Sequence, residues 1–587
     1  ESMKRFLTAL LTVLMVISLG ACSQPKTDAF KGGTFTGTAK GFAGDITVEV
    51  TIDDNKTITD VKVVEHTETE DIGGKALETL AKDVVALNSS QVDTVTTATV
   101  TSLAFIEAVN AAITAAGLNP EDFVPGEVGA VEKTDETLDV DIVIIGAGGA
   151  GMAAGITAAQ EGKSVIIVEK APMVGGNTSR ATGGMNAAGS HYQEEAGIED
   201  SVELFVEDTI KGGHGLNNPD LVQVMAENSA DAIVWLDSIG AELSNVGKAG
   251  GASVNRAHRP VDENGKILSV GTYLVTKLEE ACIDNGVEIL LETQATEIVM
   301  EDGVAVGIIA NSPTVNYTIN AGAVIVASGG FGGNLEMVAE LKPELEGYVS
   351  TNAPTLTGDG IKMAEAVGAA TVDMEQIQIH PTVVQANGAL ITESLRGDGA
   401  ILLNAEGKRF IDETQTRDVV SANVIAQTDS YAWLIVNQAM FDDSTVVQKY
   451  VDQEYLIAAE DVAALAELIG ADEAVIQESL DAWNTAIETQ NDAECGREGL
   501  DTIAYNVSEG SYYAVKIAPG IHHTMGGIMI NTNAEVIDTE GNVIPGLYAA
   551  GEVTGGVHGG NRLGANAVTD IIVYGRIAAQ QAAKYIE

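Results

Sequence analysis

The 587-residue chain carries 85 acidic against 31 basic side chains, a formal net charge of −54. Such a charge repels nucleic-acid phosphates and suits a surface bathed in solvent outside the cytoplasm. Three cysteines exclude a disulfide framework in a chain this long, and no Cys-x-x-Cys-His is present to attach a c-type haem.

The length leaves room for two or three domains, and no internal repeat is visible. In chain order, Lys4 and Arg5 precede an apolar run from Phe6 to Leu19, then Gly20-Ala21-Cys22 and polar residues. The run is shorter than the roughly 18 apolar residues of a membrane-spanning helix. It resembles a bacterial lipoprotein signal. That implies a signal over residues 1–22, a lipid on Cys22, and anchoring to the bacterial membrane outside the cytoplasm. Cys282, in LEEACIDNG, reads as a buried helix residue.

From Ile46 to Ile52 apolar residues alternate with Thr47, Glu49 and Thr51, the period of a half-buried strand, and Ile58 to His66 continues it. KALETLAKDVVAL and the stretch starting at Ser102, SLAFIEAVNAAITAAG, have helical spacing. Residues 33–117 are therefore predicted to form a small α+β domain. Within it, DTVTTATVTS (93–102) places six hydroxyls in ten residues, and an isolated threonine run fits a strand or its turn. Pro120, Pro125 and many charges without apolar periodicity mark 118–137 as a linker.

Val140 to Ile145 reads as a buried strand, followed at once by Gly146-Ala147-Gly148-Gly149-Ala150-Gly151, a helix, and a second strand ending at Glu169. In this context the glycines form a dinucleotide-binding turn. Gly146 permits the turn, Gly148 the approach of a pyrophosphate, and Gly151 close helix–strand packing, while Glu169 can accept from a ribose hydroxyl. Further glycine-rich stretches recur at 175–186, 327–330, 357–360 and 551–566.

Together with QIQIHPT, LITESLRGDGAILLN, ETQTRD, HHTMGG and GEVTGGVHGGNRLGANA, these stretches resemble the soluble fumarate reductase flavoproteins over about Val140–Ile586. The resemblance implies an α/β, Rossmann-like FAD-binding domain over 138–375 and 521–587, interrupted by an α+β clamp domain over 376–520. It implies non-covalent FAD against Gly146, Gly148, Ala150, Gly151, Glu169, Lys170, Asn177, Thr178, Gly183, Gly184, Met185, Asn186, Ala327, Gly329, Gly330, Asp359, His523, Glu552, Gly564, Ala565, Asn566 and Ala567. The first domain resembles an FMN-binding domain that carries its flavin covalently on the last hydroxyl of an Asp-x-x-Ser/Thr-Gly-Ala-Thr/Ser pattern. Here that residue is Thr99, with Thr97 where the family usually has glycine. A flavin transferase would make the bond.

For the chemistry, the resemblance implies that His380 and Thr392 hold one carboxylate of a dicarboxylate, that His522 and Arg562 hold the other, and that Gln378 also binds substrate. Arg417 would donate the proton, with Glu393 and Arg396 as its relay. Arginine is ordinarily a very weak acid, with a pKa above about 12, so a carboxylate that returns the proton matters. A structural sodium ion would rest on backbone carbonyls of Thr524, Met525, Gly526, Glu552 and Thr554. The implied function is reduction of fumarate to succinate with electrons from a membrane donor through FMN and FAD. The alternatives are the same chemistry on urocanate, acrylate, methacrylate, itaconate or a cinnamate, or a non-catalytic electron carrier. The bland reading of the charged residues is a surface ion-pair cluster.

Overall fold

A computed structural model describes residues 30–69, 73–92, 94–95, 98–124, 133–503 and 510–587. The chain divides into two compact units, with the principal boundary near residue 130.

In the smaller unit the strands Gly33–Lys40, Asp45–Ile52 and Ile58–Glu65 form an antiparallel meander. Ile46, Val48, Val50 and Ile52 are buried and the residues between them half-exposed, so the period of two is real. The first strand, GTFTGTAK, has no apolar run to announce it. Cross-strand hydroxyl pairs help hold it, Thr34 to Thr51 and Thr38 to Thr47, each at 3.0 Å. Helices Lys75–Leu87 and Thr99–Ala115 complete the unit.

The threonine run departs from the strand-or-turn expectation. Thr99 opens the second helix, three residues ahead of the predicted Ser102, and the buried Thr101 hydroxyl donates to Glu68. Asp93, Thr96 and Thr97 lie outside the described residues, as does Cys22 with the rest of the apolar leader.

The larger unit is built on an eight-stranded sheet. Its order runs Gln294–Glu301, Val304–Asn311, Val315–Val326, Thr134–Ile145, Val165–Val168, Glu288–Leu290; Val543–Ala549 joins Val315–Val326 in parallel and pairs antiparallel with Glu535–Ile537. The strand expected from Val140 starts at Thr134, inside the stretch read as linker. Its first half is a polar ribbon, in which the Asn316 and Asn320 amides donate to Asp135 and Asp139, both at 2.9 Å. Only its last four residues are buried, and those alone carry an apolar signal.

After Ile145 the chain turns through Gly146 at φ 104° into the helix Gly149–Gln160. A Cβ on Gly151 would lie 1.8 Å from the Gly146 carbonyl oxygen, so only glycine lets the helix start this close to the strand. The helix Asn566–Tyr585 packs against it from the far end of the sequence.

The region from 376 to 524 has its own five-stranded sheet. In its strand Ala432–Asn437, Ala432, Leu434 and Val436 face one apolar core, while Trp433 and Ile435 face another. Both faces of this sheet are therefore covered. Its two ends, Ile377–Val383 and the last part of Tyr512–Thr524, run antiparallel, with Gln378 opposite His523 and His380 opposite Gly520. Among the described residues no helix is long and apolar enough to cross a membrane.

Candidate active site

At the carboxyl ends of the parallel strands lies a hollow of about 820 Å³, walled by the Gly146–Ala150 turn, Glu169, Lys170, Ala327, Gly329 and Asp359. Asn177, Thr178, Glu552 and Ile571 line both this hollow and a second one of about 920 Å³, so the two form one trough. The first half suits a dinucleotide: a helix N-terminus opens on it, and Glu169 stands just past the end of its strand. Backbone N–H groups of Ala147 and Ala171 hold the Glu169 carboxylate at 2.9 and 2.8 Å, and burial raises its pKa against them. Lys170 donates to Thr357 and Asp359 at 2.7 and 2.8 Å, tying the two rims together.

The second half holds the chemistry. His380, Thr392, Glu393 and Arg417 line it from the inserted region, and His522, His523 and Arg562 from the sequence beyond. Because His380 and His522 sit on neighbouring strands, their rings come within 5.1 Å, edge to face. Arg417, the first residue of the helix Arg417–Ile425, donates from Nε to Glu393 at 2.5 Å and from Nη1 to the Gln378 side-chain oxygen at 3.1 Å. The Gln378 amide then donates to Asn561 at 2.8 Å and to the Arg562 carbonyl at 2.6 Å. One glutamine thus ties Arg417 to the loop that bears Arg562.

Glu393 also accepts from the Gly250 N–H at 2.7 Å, and a Cβ on Gly250 or Gly564 would lie 2.6 or 2.7 Å from its oxygen. Backbone alone can approach it there. Behind it, Arg396 donates to the Glu413 carbonyl at 2.7 Å and has Nη2 3.8 Å from Glu393, while its buried Nε and Nη2 make no hydrogen bond.

Burial opposes ionisation of Glu393, but the charges of Arg417 and Arg396 and the bonds from Arg417 and Gly250 outweigh it and hold the carboxyl at about 2. Burial, reinforced by Arg417, brings Arg562 down to about 9. Burial likewise lowers Arg396, against the pull of Glu393. His380 and His522 are pushed well below their ordinary range by burial and then by Arg417, and His523 by burial and Arg562. All three imidazoles are therefore neutral. Nδ1 of His380 accepts from the Thr382 N–H at 3.2 Å, which leaves its proton on Nε2, a buried atom with no protein partner. That N–H is a donor held ready for a ligand.

The predicted catalytic and substrate residues thus converge on one cleft, with Gln378 and Arg396 just behind its wall. The charged cluster is buried, unlike a surface ion-pair network. Gly183, Gly184, Ala565 and Ala567 also line the cleft. Gly151, Met185, Asn186, Gly330, Gly564 and Asn566 line neither hollow and stand in the walls behind them. The Asn186 amide, for example, donates to the Gly564 carbonyl and to Asn566 at 2.8 and 2.7 Å. Segments 524–526 and 552–554 lie side by side, with the Thr524 N–H 3.1 Å from the Glu552 carboxylate and Ile528 beside Thr554. Among the described residues no cluster of histidine, cysteine or acidic side chains could hold a metal.

Sequence reasoning passed over Arg180, Thr351 and Asp570, which line the cleft, and Asn561. Arg180 and Asn561 lie inside the glycine-rich motifs. The signal for Asp570 is an acid set in the apolar run AVTDIIVYG, where it is buried and paired with His558 at 3.0 Å.

A dinucleotide trough that runs into a cleft lined by arginines, neutral histidines and a carboxylate bonded to Arg417 defines a flavin-dependent oxidoreductase. Residues 141–568 match the FAD binding domain family, and residues 41–114 match the FMN-binding domain family. An NADH:fumarate oxidoreductase of Klebsiella pneumoniae is 40% identical over 94% of this chain, which spans 59% of that protein's length. A urocanate reductase of Eggerthella lenta is 37% identical, covering 94% of this chain and 92% of its own. The solved open conformation of a flavocytochrome c3 fumarate reductase superimposes with a TM-score of 0.63 at 41% identity, covering 76% of this chain and 79% of that one. The chain belongs to the flavoprotein fumarate reductase family and has an N-terminal FMN-binding domain.

Proposed function

We propose that this protein reduces the carbon–carbon double bond of fumarate to give succinate. The observation that carries the reading is a pair of unmet donors at the cleft: among the described residues the buried His380 Nε2–H has no hydrogen-bond partner, and Arg562 makes no ion pair and leaves its buried Nε without a partner. A dicarboxylate would meet both. When bound, FAD supplies a hydride. One substrate carboxylate accepts from His380 Nε2–H and the Thr392 hydroxyl, and the other from His522 and Arg562. Stretched between them, the double bond lies in the cleft with Arg417, which gives a proton to the carbon that does not receive hydride. Glu393 passes a proton back to Arg417, and Arg396 supplies Glu393. The buried cleft excludes water and strengthens these charges.

Thr99 would carry FMN through a phosphodiester made by a flavin transferase, and that flavin would supply FAD with electrons taken from a membrane donor. Cys22 anchors the protein by lipid outside the cytoplasm, and carbonyls of Thr524, Met525, Gly526, Glu552 and Thr554 hold a structural sodium ion. Peptide mass mapping tests Thr99, since flavin found on any other threonine removes the assignment.

Urocanate is the second reading, favoured by a urocanate reductase that is similar across both flavin domains. Stopped-flow mixing of the chemically reduced protein with fumarate, urocanate, acrylate, itaconate and cinnamate separates the readings. Fumarate should reoxidise the flavin fastest. A faster reaction with urocanate would make that the substrate, and no reaction with any acid would leave an electron carrier.

A further inference from the structure

The Thr392 side of the cleft is held by a residue that does not line it. The strip Leu390–Ile391–Thr392 crosses the inserted region with its middle tied to Thr382: Ile391 N–H donates to the Thr382 carbonyl at 2.9 Å, and the Thr382 hydroxyl donates back to Ile391 at 2.8 Å. Thr382 in turn bonds His380 Nδ1. The two ends of the strip meet a single group, the Tyr450 hydroxyl. It accepts from the Thr392 N–H at 3.1 Å and donates to the Leu390 carbonyl at 3.1 Å. Tyr450 is buried, and burial raises its phenol against the Thr392 bond, so the hydroxyl stays protonated and can do both.

Tyr450 belongs to the helix Thr445–Asp452, whose other end is fixed to a distant part of the chain. The Thr445 hydroxyl donates to the Ile267 carbonyl at 2.7 Å, and Ser444 forms a parallel bridge with Ile267. The helix is thus a strut, anchored at Ile267 and ending on the strip that presents Thr392.

We propose that Tyr450 is a positioning residue for dicarboxylate recognition, fixing through its hydroxyl the backbone on which Thr392 meets one carboxylate beside His380. The inference rests on the fumarate reading above. It makes Tyr450 matter for binding and selectivity and little for the hydride and proton steps, because Arg417 and Glu393 hang on other bonds.

Tyr450→Phe in the full FAD-loaded protein removes the hydroxyl alone and leaves a buried N–H and a buried carbonyl unpaired, a loss that should raise KM for fumarate about tenfold. The Kd of succinate, read from the flavin absorption change on titration, should rise in parallel, while kcat changes less than about threefold and KM for the monocarboxylate acrylate changes least. A wild type that does not bind succinate overturns both the fumarate reading and this inference. A wild type that binds it, with Tyr450→Phe unchanged in Kd and KM, overturns the inference alone, as does an equal loss for acrylate, which would mark a general packing role. Where Tyr450→Phe does not fold, 3-fluorotyrosine at position 450 keeps the shape and alters only the acidity of the hydroxyl. It should shift the succinate Kd, and an unchanged Kd again overturns the inference.

Discussion

The charge clusters around Arg409 and Arg417 are neighbours, joined through Arg396, whose carbonyl accepts from Arg497 at 2.7 Å and whose guanidinium donates to the Glu413 carbonyl. They settle their charges in different ways. Arg409 forks onto Glu413 at 3.0 and 2.9 Å and onto Asp492 at 3.1 Å, Arg497 adds a contact to Glu413 at 3.4 Å, and both guanidiniums stack over Trp483. Charges there cancel, and the carboxylates overcome burial to raise Arg409 above its ordinary value. Around Arg417 the pairing is incomplete: Arg562 makes no ion pair among the described residues and its buried Nε has no hydrogen-bond partner, and burial lowers Arg396 and Arg562. A buried cluster whose guanidiniums are all ion-paired holds the fold, whereas one that leaves a guanidinium unpaired is completed by a ligand.

The largest expected effect breaks this comparison directly. Arg417→Ala should cut turnover by about 100- to 10,000-fold, the worth of a general acid, while bound FAD hardly changes and the melting temperature falls less than in Arg409→Ala, because Arg396 and the Gly250 N–H still face Glu393. A variant that melts early would make the Arg417 cluster structural as well. Arg409→Ala should do the reverse, costing about 3–5 kcal/mol of stability by stranding Glu413 and Asp492, with near-normal turnover in the fraction that folds. Denaturant titration alongside activity reads both.

A third test sharpens the contrast with pH. In the free site Arg562 keeps its charge below about 9 and loses it as pH rises through that value. The dianion prefers the charged form, so KM for fumarate should be flat on the acid side and climb by up to about tenfold per pH unit above it. Because bound substrate holds the proton on Arg562, kcat should stay level over the same range. Glu393, held at about 2, adds no acid limb at ordinary working pH. The smallest effect concerns His380→Ala, which should raise KM for fumarate several-fold and narrow its advantage over acrylate, since a lost donor strands one carboxylate. Unchanged selectivity would move the second carboxylate site elsewhere.

Much of this was legible in the sequence because glycine spacing and short motifs encode local geometry. VDIVII followed by GAGGAG announces a strand, a turn and a helix, and QIQIHPT with HHTMGG supplies two strands that the fold pairs. What escaped depends on partners distant in sequence. Thr34 and Thr38 form a strand through hydroxyl pairs that a one-strand reading cannot see. The polar half of Thr134–Ile145 owes its pairing to asparagines some 181 residues away. Arg409 and Trp483 look like ordinary helix and loop residues until the fold stacks them. Tyr450 meets Thr392 only because the strut helix turns back across the inserted sheet.

Gly250 and Gly564 carry a consequence for how the site is held. They come from loops more than 300 residues apart, and each leaves room for Glu393 where a single methyl group would collide with it. The proton relay is therefore bounded by vacancy as much as by charge: a methyl group added at either glycine would push the Glu393 carboxylate from where it accepts from Arg417 and Gly250, so two residues that hold no proton help to decide where this one is held.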